Sequence, residues 1–162
     1  ELLGDDCRDL PLSEPFDQLV KMHRDIMNAD MEKNLAHYYE RGKDKMTDTI
    51  CGMIEDGHKV SAVDYNTAVD GQDLLNSGLD ACFDHYDIII TPATTGEAPA
   101  GLEATGNPIF NTLATYCGVP SITLPLMEGP NGLPLGVQVI GPRNDDARLL
   151  RNANWLIQRV AG

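Results

Sequence analysis

The spacing of the apolar residues changes at Tyr86, and this change constrains the fold more than any other feature of the sequence. Between residues 17 and 40, apolar side chains recur every three or four positions, which is the spacing of an amphipathic helix. After Tyr86, Ile88-Ile89-Ile90 forms a continuous β-branched run that Thr91-Pro92 ends. Such a run is typical of a central strand that is buried on both faces. We therefore predict an α/β fold, with a mixed sheet core and helices packed on it.

Three helices are predicted in the first part of the chain, where polar caps and glycines mark their ends. The first is expected to end at Arg41-Gly42, because glycine readily adopts the left-handed conformation of a C-terminal cap. Thr47 or Asp48 caps the second helix, which Gly57 ends. Ser61 opens the third helix through the capping-box pattern S-x-x-D, and this helix runs toward residue 84.

Two more helices and two more strands are predicted in the second part of the chain. A helix is expected to begin at Asn107, with Pro108 at its first helical position, where the missing N–H costs nothing, and to end at Gly118. The turn residues Asn131-Gly132 separate the two strands, and the last helix begins near Asp145. The strands are expected at residues 120–126 and 135–140.

Charge and composition divide the chain into two zones. The chain has 25 acidic and 12 basic residues and a formal net charge of −13, and 20 of the acidic and 8 of the basic residues lie within the first 90 positions. Eight of the ten prolines and eight of the fifteen glycines lie between residues 92 and 142. No Ser/Gly-rich or charged linker separates the zones. We therefore predict a single unit over residues 1–162, mainly helical over 1–85 and a strand-turn-helix sheet region over 86–162.

The composition also excludes several classes of function. An acidic chain lacks the basic surface that binds phosphate backbones, so no nucleic-acid partner is expected. No apolar run reaches the roughly 18 residues that span a bilayer, and no signal peptide is visible, so no membrane partner is expected. The four cysteines lie more than 30 residues apart, which favours reduced thiols in a cytoplasmic protein over a disulfide framework or a zinc site.

The sequence lacks the common catalytic motifs. It contains neither the nucleophile turn G-x-S-x-G nor the metal-binding H-E-x-x-H, and no glycine-rich loop for phosphate or a dinucleotide. The histidines are scattered through the acidic half, and Ser61 and Ser121 are better explained as a helix cap and a strand residue. We therefore expect no catalytic residue, no metal ion and no cofactor in this chain.

A series of short motifs resembles the C-terminal end of the amidase signature family. The motifs follow one another in the family's order and at its distances, and a looser match precedes them at residues 57–65. They are YDIIITPA at 86–93, AP at 98–99, FN at 110–111, GVPSITLP at 118–125, GLPLGVQVIG at 132–141 and DD at 145–146.

The resemblance implies hydrolysis of an amide bond by a Ser–Ser–Lys arrangement. A Lys acts as base through a bridging Ser, and a Gly/Ser-rich loop supplies the nucleophile and the N–H groups that stabilise negative charge. No position in this chain matches those signature residues, which in the family lie N-terminal to the part that the chain resembles. The resemblance therefore implies a C-terminal portion of an amidase that is inactive alone and contributes fold and pocket wall. The partner of the full-length enzyme would be a small-molecule amide.

The resemblance also indicates which residues form the wall of the acyl-binding pocket. In family members the segment after the TP strand and the following helix help to line this pocket, and ligands of open α/β sheets bind beyond the carboxyl ends of strands. Purely structural roles are the alternative, since Pro92 can end a strand, Asn107 can cap a helix and Phe110 can fill the core. The candidate substrate-binding residues are Pro92, Ala93, Thr94, Thr95, Asn107, Phe110 and Asn111.

Two questions stay open from the sequence. The stretch 59–70 lacks the Arg-rich, Gly-Tyr-containing sequence of the family's tRNA-dependent amidotransferase members, which favours a free-standing amidase. The alternative to an enzyme fragment is a stand-alone, non-catalytic binding or scaffold domain derived from an amidase. In the isolated chain, uncovered apolar sheet surface would favour self-association, with a homodimer as one expected form.

Overall fold

The computed structural model describes residues 3–161 of the chain. Backbone contacts divide these residues into two compact units, a helical unit over 14–75 and a sheet unit formed by 3–13 and 76–161. The boundary falls inside the third helix, ahead of the compositional change near residue 86. The helices are α1 (Leu19–Gly42), α2 (Asp48–Gly57), α3 (Ala62–Phe83), α4 (Thr112–Cys117) and α5 (Asp146–Ala161), and the strands are β1 (Ile89–Pro92), β2 (Ser121–Glu128) and β3 (Pro134–Ile140). Within the described residues, no helix combines the length and the apolar character that crossing a membrane requires.

The predicted caps are present at the starts of α2 and α3. The Thr47 side chain accepts a hydrogen bond from the backbone N–H of Ile50 at 3.4 Å. Ser61 Oγ accepts a hydrogen bond from the Asp64 backbone N–H at 3.0 Å and donates one to Asp64 Oδ2 at 2.6 Å. Each cap satisfies a backbone donor that the first turn of a helix leaves unpaired, so local sequence is sufficient to place these helix starts.

The ends of α1 and α2 lie where they are predicted, but the end of α1 has a different backbone conformation from the one predicted. Gly42 ends α1 with a φ of −161°, so the predicted left-handed cap is wrong, because the chain passes directly into a 3-10 turn over Lys43–Lys45. Gly57 ends α2 and is buried against α1. A Cβ atom at Gly57 would overlap the carbonyl oxygen of Asn28 and would lie 2.7 Å from Glu32 Cβ. Gly57 therefore allows α1 and α2 to approach each other closely.

The sheet unit contains a three-stranded antiparallel sheet with the order β1-β3-β2. In the register of this sheet, Thr91 of β1 and Thr123 of β2 both lie opposite Gln138 of β3. The predicted α/β class is confirmed, and the predicted positions of β2, β3 and the turn between them agree with the structure. Since β1 and β2 both run antiparallel to β3, their carboxyl ends lie toward the same edge of the sheet.

The prediction that Ile88-Ile89-Ile90 forms a central strand is wrong. β1 lies at an edge of the described sheet, and β3 is the central strand. Ile88 and Ile90 pack against the core on one face, whereas Ile89 lies opposite the fully buried Ile140 on the other face. The β-branched run therefore reflects a strand that is covered on both faces, and it carries no information about which strands flank it.

One face of the sheet packs against α5. The apolar residues of α5 that face the sheet follow the helical spacing, and they form a buried cluster with residues of β2 and β3. The Asp145 side chain accepts a hydrogen bond from the Arg148 backbone N–H at 3.0 Å, so α5 begins where it is predicted. The cluster consists of Leu124, Val139, Leu149, Ala153 and Leu156.

Arg148 joins α5 to the segment that leads into β1. Its guanidinium donates hydrogen bonds to the carbonyl oxygens of Phe83 at 3.2 Å and Tyr86 at 3.0 Å, and forms an ion pair with Asp87 at 3.3 Å. Phe83 is the last residue of α3, where helix carbonyl groups lack partners within the helix. Arg148 therefore satisfies carbonyl oxygens at the end of α3 and fixes the entry of the chain into β1.

The close approach at Gly57 predicts opposite effects for two substitutions in the same helix. Gly57→Ala should lower the free energy of unfolding by about 1–3 kcal/mol, because the new Cβ overlaps rigid backbone of α1. Gly52→Ala should leave it unchanged or raise it by up to about 1 kcal/mol, because the space around Gly52 is open and alanine favours a helix. Urea denaturation measures both. Equal effects of the two alanines would contradict the packing role of Gly57.

Candidate substrate-pocket wall

The first candidate segment leaves the sheet at the end of β1. The backbone N–H of Ala93 donates a hydrogen bond to the Gly136 carbonyl of β3 at 3.0 Å, so Ala93 extends the pairing by one residue. Ala93 and Thr94 are half-buried, whereas Pro92 and Thr95 are exposed. The pairing with β3 therefore extends to Ala93. The half-buried pair Ala93 and Thr94 has one exposed residue before it, Pro92, and one after it, Thr95.

Gly136 explains how Ala93 can approach β3 so closely. A Cβ atom at Gly136 would lie 2.5 Å from Thr123 Cγ2 and 2.9 Å from Ala93 Cβ. Both distances are shorter than carbon atoms tolerate, so a side chain at this position would push β1 or β2 away. Gly136, the second glycine of the motif GLPLGVQVIG, therefore has a steric role in the central strand.

The second candidate segment is a 3-10 turn that precedes α4. The predicted helix begins later than Asn107, because a 3-10 turn over Ile109–Asn111 comes first and α4 begins at Thr112. Asn107 is exposed, and its Oδ1 accepts a hydrogen bond from the Ile109 backbone N–H at 3.0 Å. Its side chain thus caps this turn. Gly118 ends α4 as predicted, and its φ of +63° is the left-handed conformation of a C-terminal glycine cap.

A side-chain hydrogen bond joins the two candidate segments. Asn111 Nδ2 donates to the Ala93 carbonyl oxygen at 3.3 Å, across 18 positions of the sequence. Phe110 and Asn111 are half-buried, like Ala93 and Thr94. Of the seven predicted residues, these four lie on the two joined segments with partly covered side chains, while Pro92, Thr95 and Asn107 are exposed.

Gln138 is a polar residue of this region that the sequence analysis missed. It is 1% exposed, and its Nε2 donates to the Phe110 carbonyl oxygen at 2.8 Å and to Thr91 Oγ1 at 3.0 Å. The signal for it was a glutamine between two valines in a predicted core strand. A buried amide in such a place needs hydrogen-bond partners, and the sequence does not say where they lie.

Glu97 is a second missed residue and holds the loop after β1 to the turn between β2 and β3. Its Oε1 accepts hydrogen bonds from the backbone N–H groups of Asn131 at 2.9 Å and Leu133 at 3.2 Å, and its Oε2 accepts one from Asn131 Nδ2 at 2.5 Å. A Cβ atom at Gly129 would overlap this carboxylate. Burial acts to raise the pKa of Glu97, but the bonds from Asn131 and Leu133 outweigh it, so the pKa is lowered.

The described side chains of this region include neither a metal-binding cluster nor an ionised thiol. Among the described residues, no group of three or more His, Cys, Asp or Glu side chains could hold a metal ion. Cys117 is buried at the end of α4, and burial raises the pKa of its thiol to about 11, which keeps it protonated at neutral pH. The half-buried side chains of the two segments are those of Ala93, Thr94, Phe110 and Asn111, and the carbonyl oxygens of Ala93 and Phe110 accept side-chain hydrogen bonds.

Two surface grooves lie in the helical unit. One has a volume of about 240 Å³ and is lined mainly by charged side chains of α1 and the α2–α3 connection, including Arg24 and Lys59. The other has a volume of about 570 Å³ and is lined by residues including Met22 and Leu74. None of the seven candidate residues lines either groove.

Comparison with known proteins identifies the family. The family model described as Amidase matches residues 12–150, most of the chain. The chain is 37% identical over 97 residues to a glutamyl-tRNA(Gln) amidotransferase subunit of Rhodopirellula baltica, covering 56% of this chain and 19% of that protein. It is 32% identical over 144 residues to the putative amidase AmiD of Mycobacterium bovis, covering 82% of this chain and 30% of that protein.

The fold agrees with this match. The structure of 6-aminohexanoate cyclic dimer hydrolase superposes with a TM-score of 0.77 and 20% identity, over 98% of this chain and 38% of that chain. The class of the protein is thus an α/β protein with an amidase-type fold. The chain belongs to the amidase signature family, and it spans about a fifth to a third of the length of the curated relatives that it matches.

The hydrogen bonds of Glu97 predict a titration that can be observed at the turn. In the wild type, the amide proton shifts of Asn131 and Leu133 should titrate with a midpoint below the ordinary pKa of a glutamate. Because the folded pKa is lowered, the stabilisation is present above the unfolded pKa and is lost as the pH falls through the folded value. Glu97→Gln should abolish this titration in an NMR pH series.

Glu103→Gln serves as the control, because Glu103 is an exposed glutamate of the same loop region. This variant should leave the titration of both amides in place. A midpoint at or above the ordinary value in the wild type, or an unchanged titration in Glu97→Gln, would show that Glu97 does not hold the turn.

Proposed function

We propose that the protein containing this chain hydrolyses the carbon–nitrogen bond of a small-molecule amide, and that this chain forms part of the wall of its substrate pocket. Family membership supports the reaction class, because the family model covers most of the chain. The names of the relatives support it further, since they include an amidase and an amidotransferase. We propose a free-standing amidase and not an amidotransferase subunit, because residues 59–70 lack the Arg-rich, Gly-Tyr-containing sequence of the family's tRNA-dependent amidotransferase members.

We propose further that catalysis uses a Ser–Ser–Lys arrangement whose residues lie outside this chain. The roles of two serines support this assignment. Ser61 is engaged as the cap of α3, and Ser121 begins β2 opposite Ile140. A nucleophilic serine needs an adjacent base and nearby N–H groups to stabilise the oxyanion, and neither serine has that setting in its described contacts. The chain alone is therefore expected to be inactive.

One observation carries the proposed role in the pocket, namely the hydrogen bond from Asn111 to the Ala93 carbonyl. It joins the segment after β1 to the turn before α4, so that half-buried side chains of both segments share one surface. Ligand pockets are mostly apolar and have a few fixed polar groups. Ala93, Thr94 and Phe110 supply methyl groups and a ring, and Asn111 supplies an amide, which suits the acyl part of an amide substrate.

An activity assay on two matched proteins tests the proposal. The complete natural polypeptide containing this chain should release ammonia or amine from at least one member of a panel that includes a primary carboxamide, an anilide and a cyclic amide. Residues 1–162 purified alone should release none. A sulfonyl fluoride, which traps activated serines, should label the complete polypeptide at a position outside residues 1–162, as peptide mass mapping would reveal.

Three results would contradict the proposal. A complete polypeptide that hydrolyses no amide and resists the sulfonyl fluoride would favour a non-catalytic binding or scaffold role. Hydrolysis by residues 1–162 alone would place the catalytic residues inside the chain. Labelling at Ser13, Ser61, Ser77 or Ser121 would have the same meaning.

A further inference from the structure

We propose that Gln138 is the positioning residue that sets the shape of the pocket wall, by fixing Phe110 and Asn111 relative to the end of β1. This inference rests on the proposed function, because it assumes that these residues contact the substrate. Gln138 itself lies within the sheet unit at 1% exposure, so it acts through its neighbours and does not reach a ligand.

The register of the sheet determines where the Gln138 side chain points. Successive side chains of a strand alternate between the two faces, and Val137 and Val139 belong to the face that packs with α5. Gln138 therefore projects from the opposite face, between Thr91 and Thr123 of the two neighbouring strands. This is the face on which its amide meets the turn that contains Phe110.

The partners of Gln138 determine the orientation of its amide. The Phe110 carbonyl oxygen can only accept a hydrogen bond, so the side chain must direct its NH₂ group toward it. The same Nε2 also donates to Thr91 Oγ1, so one nitrogen spans β1 and the turn before α4. Replacement of this group by an apolar one would remove the side-chain donor from the Phe110 carbonyl oxygen, which is destabilising for that local arrangement.

The hydrogen bonds of Gln138 belong to a closed ring of contacts. The Gly136 carbonyl of β3 accepts a hydrogen bond from the Ala93 N–H, and the Ala93 carbonyl accepts one from Asn111. The carbonyl of Phe110, the neighbour of Asn111, accepts one from Gln138, which also lies on β3. Both segments of the pocket wall are thus attached to β3 at positions two residues apart. Removal of the Gln138 bond opens the ring on the side of Phe110 and leaves the other side attached.

Filling the core alone would not require a glutamine at this position. A methionine or leucine has a similar size and would fill a core site without the cost of burying an amide. The glutamine instead provides a directional contact that fixes one carbonyl oxygen. Directional contacts of this kind hold binding groups in place, and a binding surface that is ordered in advance gains affinity because less ordering cost is paid on binding.

The test compares three variants of the complete polypeptide. Gln138→Met keeps the volume and removes the donor, Thr91→Val removes one of its two acceptors, and Val139→Ala creates a cavity on the opposite face. Val139 is the control for lost stability, because it is fully buried and packs with α5. Amide hydrogen exchange at residues 109–112, melting temperature, KM and kcat are measured for each protein on one amide substrate.

Gln138→Met should increase exchange at residues 109–112 and raise KM about tenfold with kcat changed much less, which is the pattern of lost ground-state binding. Thr91→Val should have a smaller effect on both, since the bond to Phe110 remains. Val139→Ala should lower the melting temperature with KM unchanged. If Gln138→Met alters KM no more than Val139→Ala does, or leaves the exchange of residues 109–112 unchanged, the positioning role is wrong.

Failure of the proposed function gives a different result from failure of this inference. If the wild-type polypeptide hydrolyses no amide, the proposed function fails, and the exchange of residues 109–112 in Gln138→Met alone decides whether Gln138 positions the turn. If the wild type is active and Gln138→Met matches it in KM and exchange, the proposed function stands and the inference fails.

Discussion

Strand β3 anchors the two candidate segments, the one after β1 and the one before α4, through two hydrogen-bonded attachments. Its main chain at Gly136 accepts the hydrogen bond of Ala93, and its Gln138 side chain donates to the carbonyl of Phe110. The bond from Asn111 to Ala93 connects the two attached segments to each other. These segments are therefore held by the central strand of the described sheet, which is backed by α5.

Two polar side chains near this strand fix its neighbouring segments, one in the buried interior and one near the surface. Gln138 acts in the buried interior, where a hydrogen bond contributes more than it does at the surface. Glu97 acts near the surface, where its carboxylate gathers three donors from the turn between β2 and β3. The loop after β1 is therefore fixed at Ala93 by the sheet and at Glu97 by the turn. The residues between these points, including Thr94 and Thr95, are held at both ends.

Features that depend on neighbouring residues could be predicted from the sequence. The caps at Thr47, Ser61 and Asp145 use partners three residues away, and the left-handed glycine at Gly118 is set by its own turn. The amidase resemblance was likewise carried by short local motifs, and the family match bears it out.

Features that depend on distant residues could not be predicted in this way. The β-branched run at residues 88–90 indicated burial on both faces, but strand order is decided by pairing with β3, about fifty residues later. Gln138 finds its partners 28 and 47 positions away, and Glu97 finds its partners 34 and 36 positions away. Such partners come together only when the strands of the sheet have paired. The sequence pattern predicted two segments for the pocket wall, and the structure shows the hydrogen bonds that join them to each other and to β3.

The central claim is that the segment after β1 and the turn before α4 form one surface that contacts the substrate. A crystal structure of the complete polypeptide with a non-hydrolysable amide analogue tests it most directly. The acyl group of the analogue should lie within about 4 Å of Phe110 and of Ala93 or Thr94, the distance of apolar contact. An analogue bound elsewhere, such as in the groove beside Met22 and Leu74, with these residues uncontacted, would contradict the account.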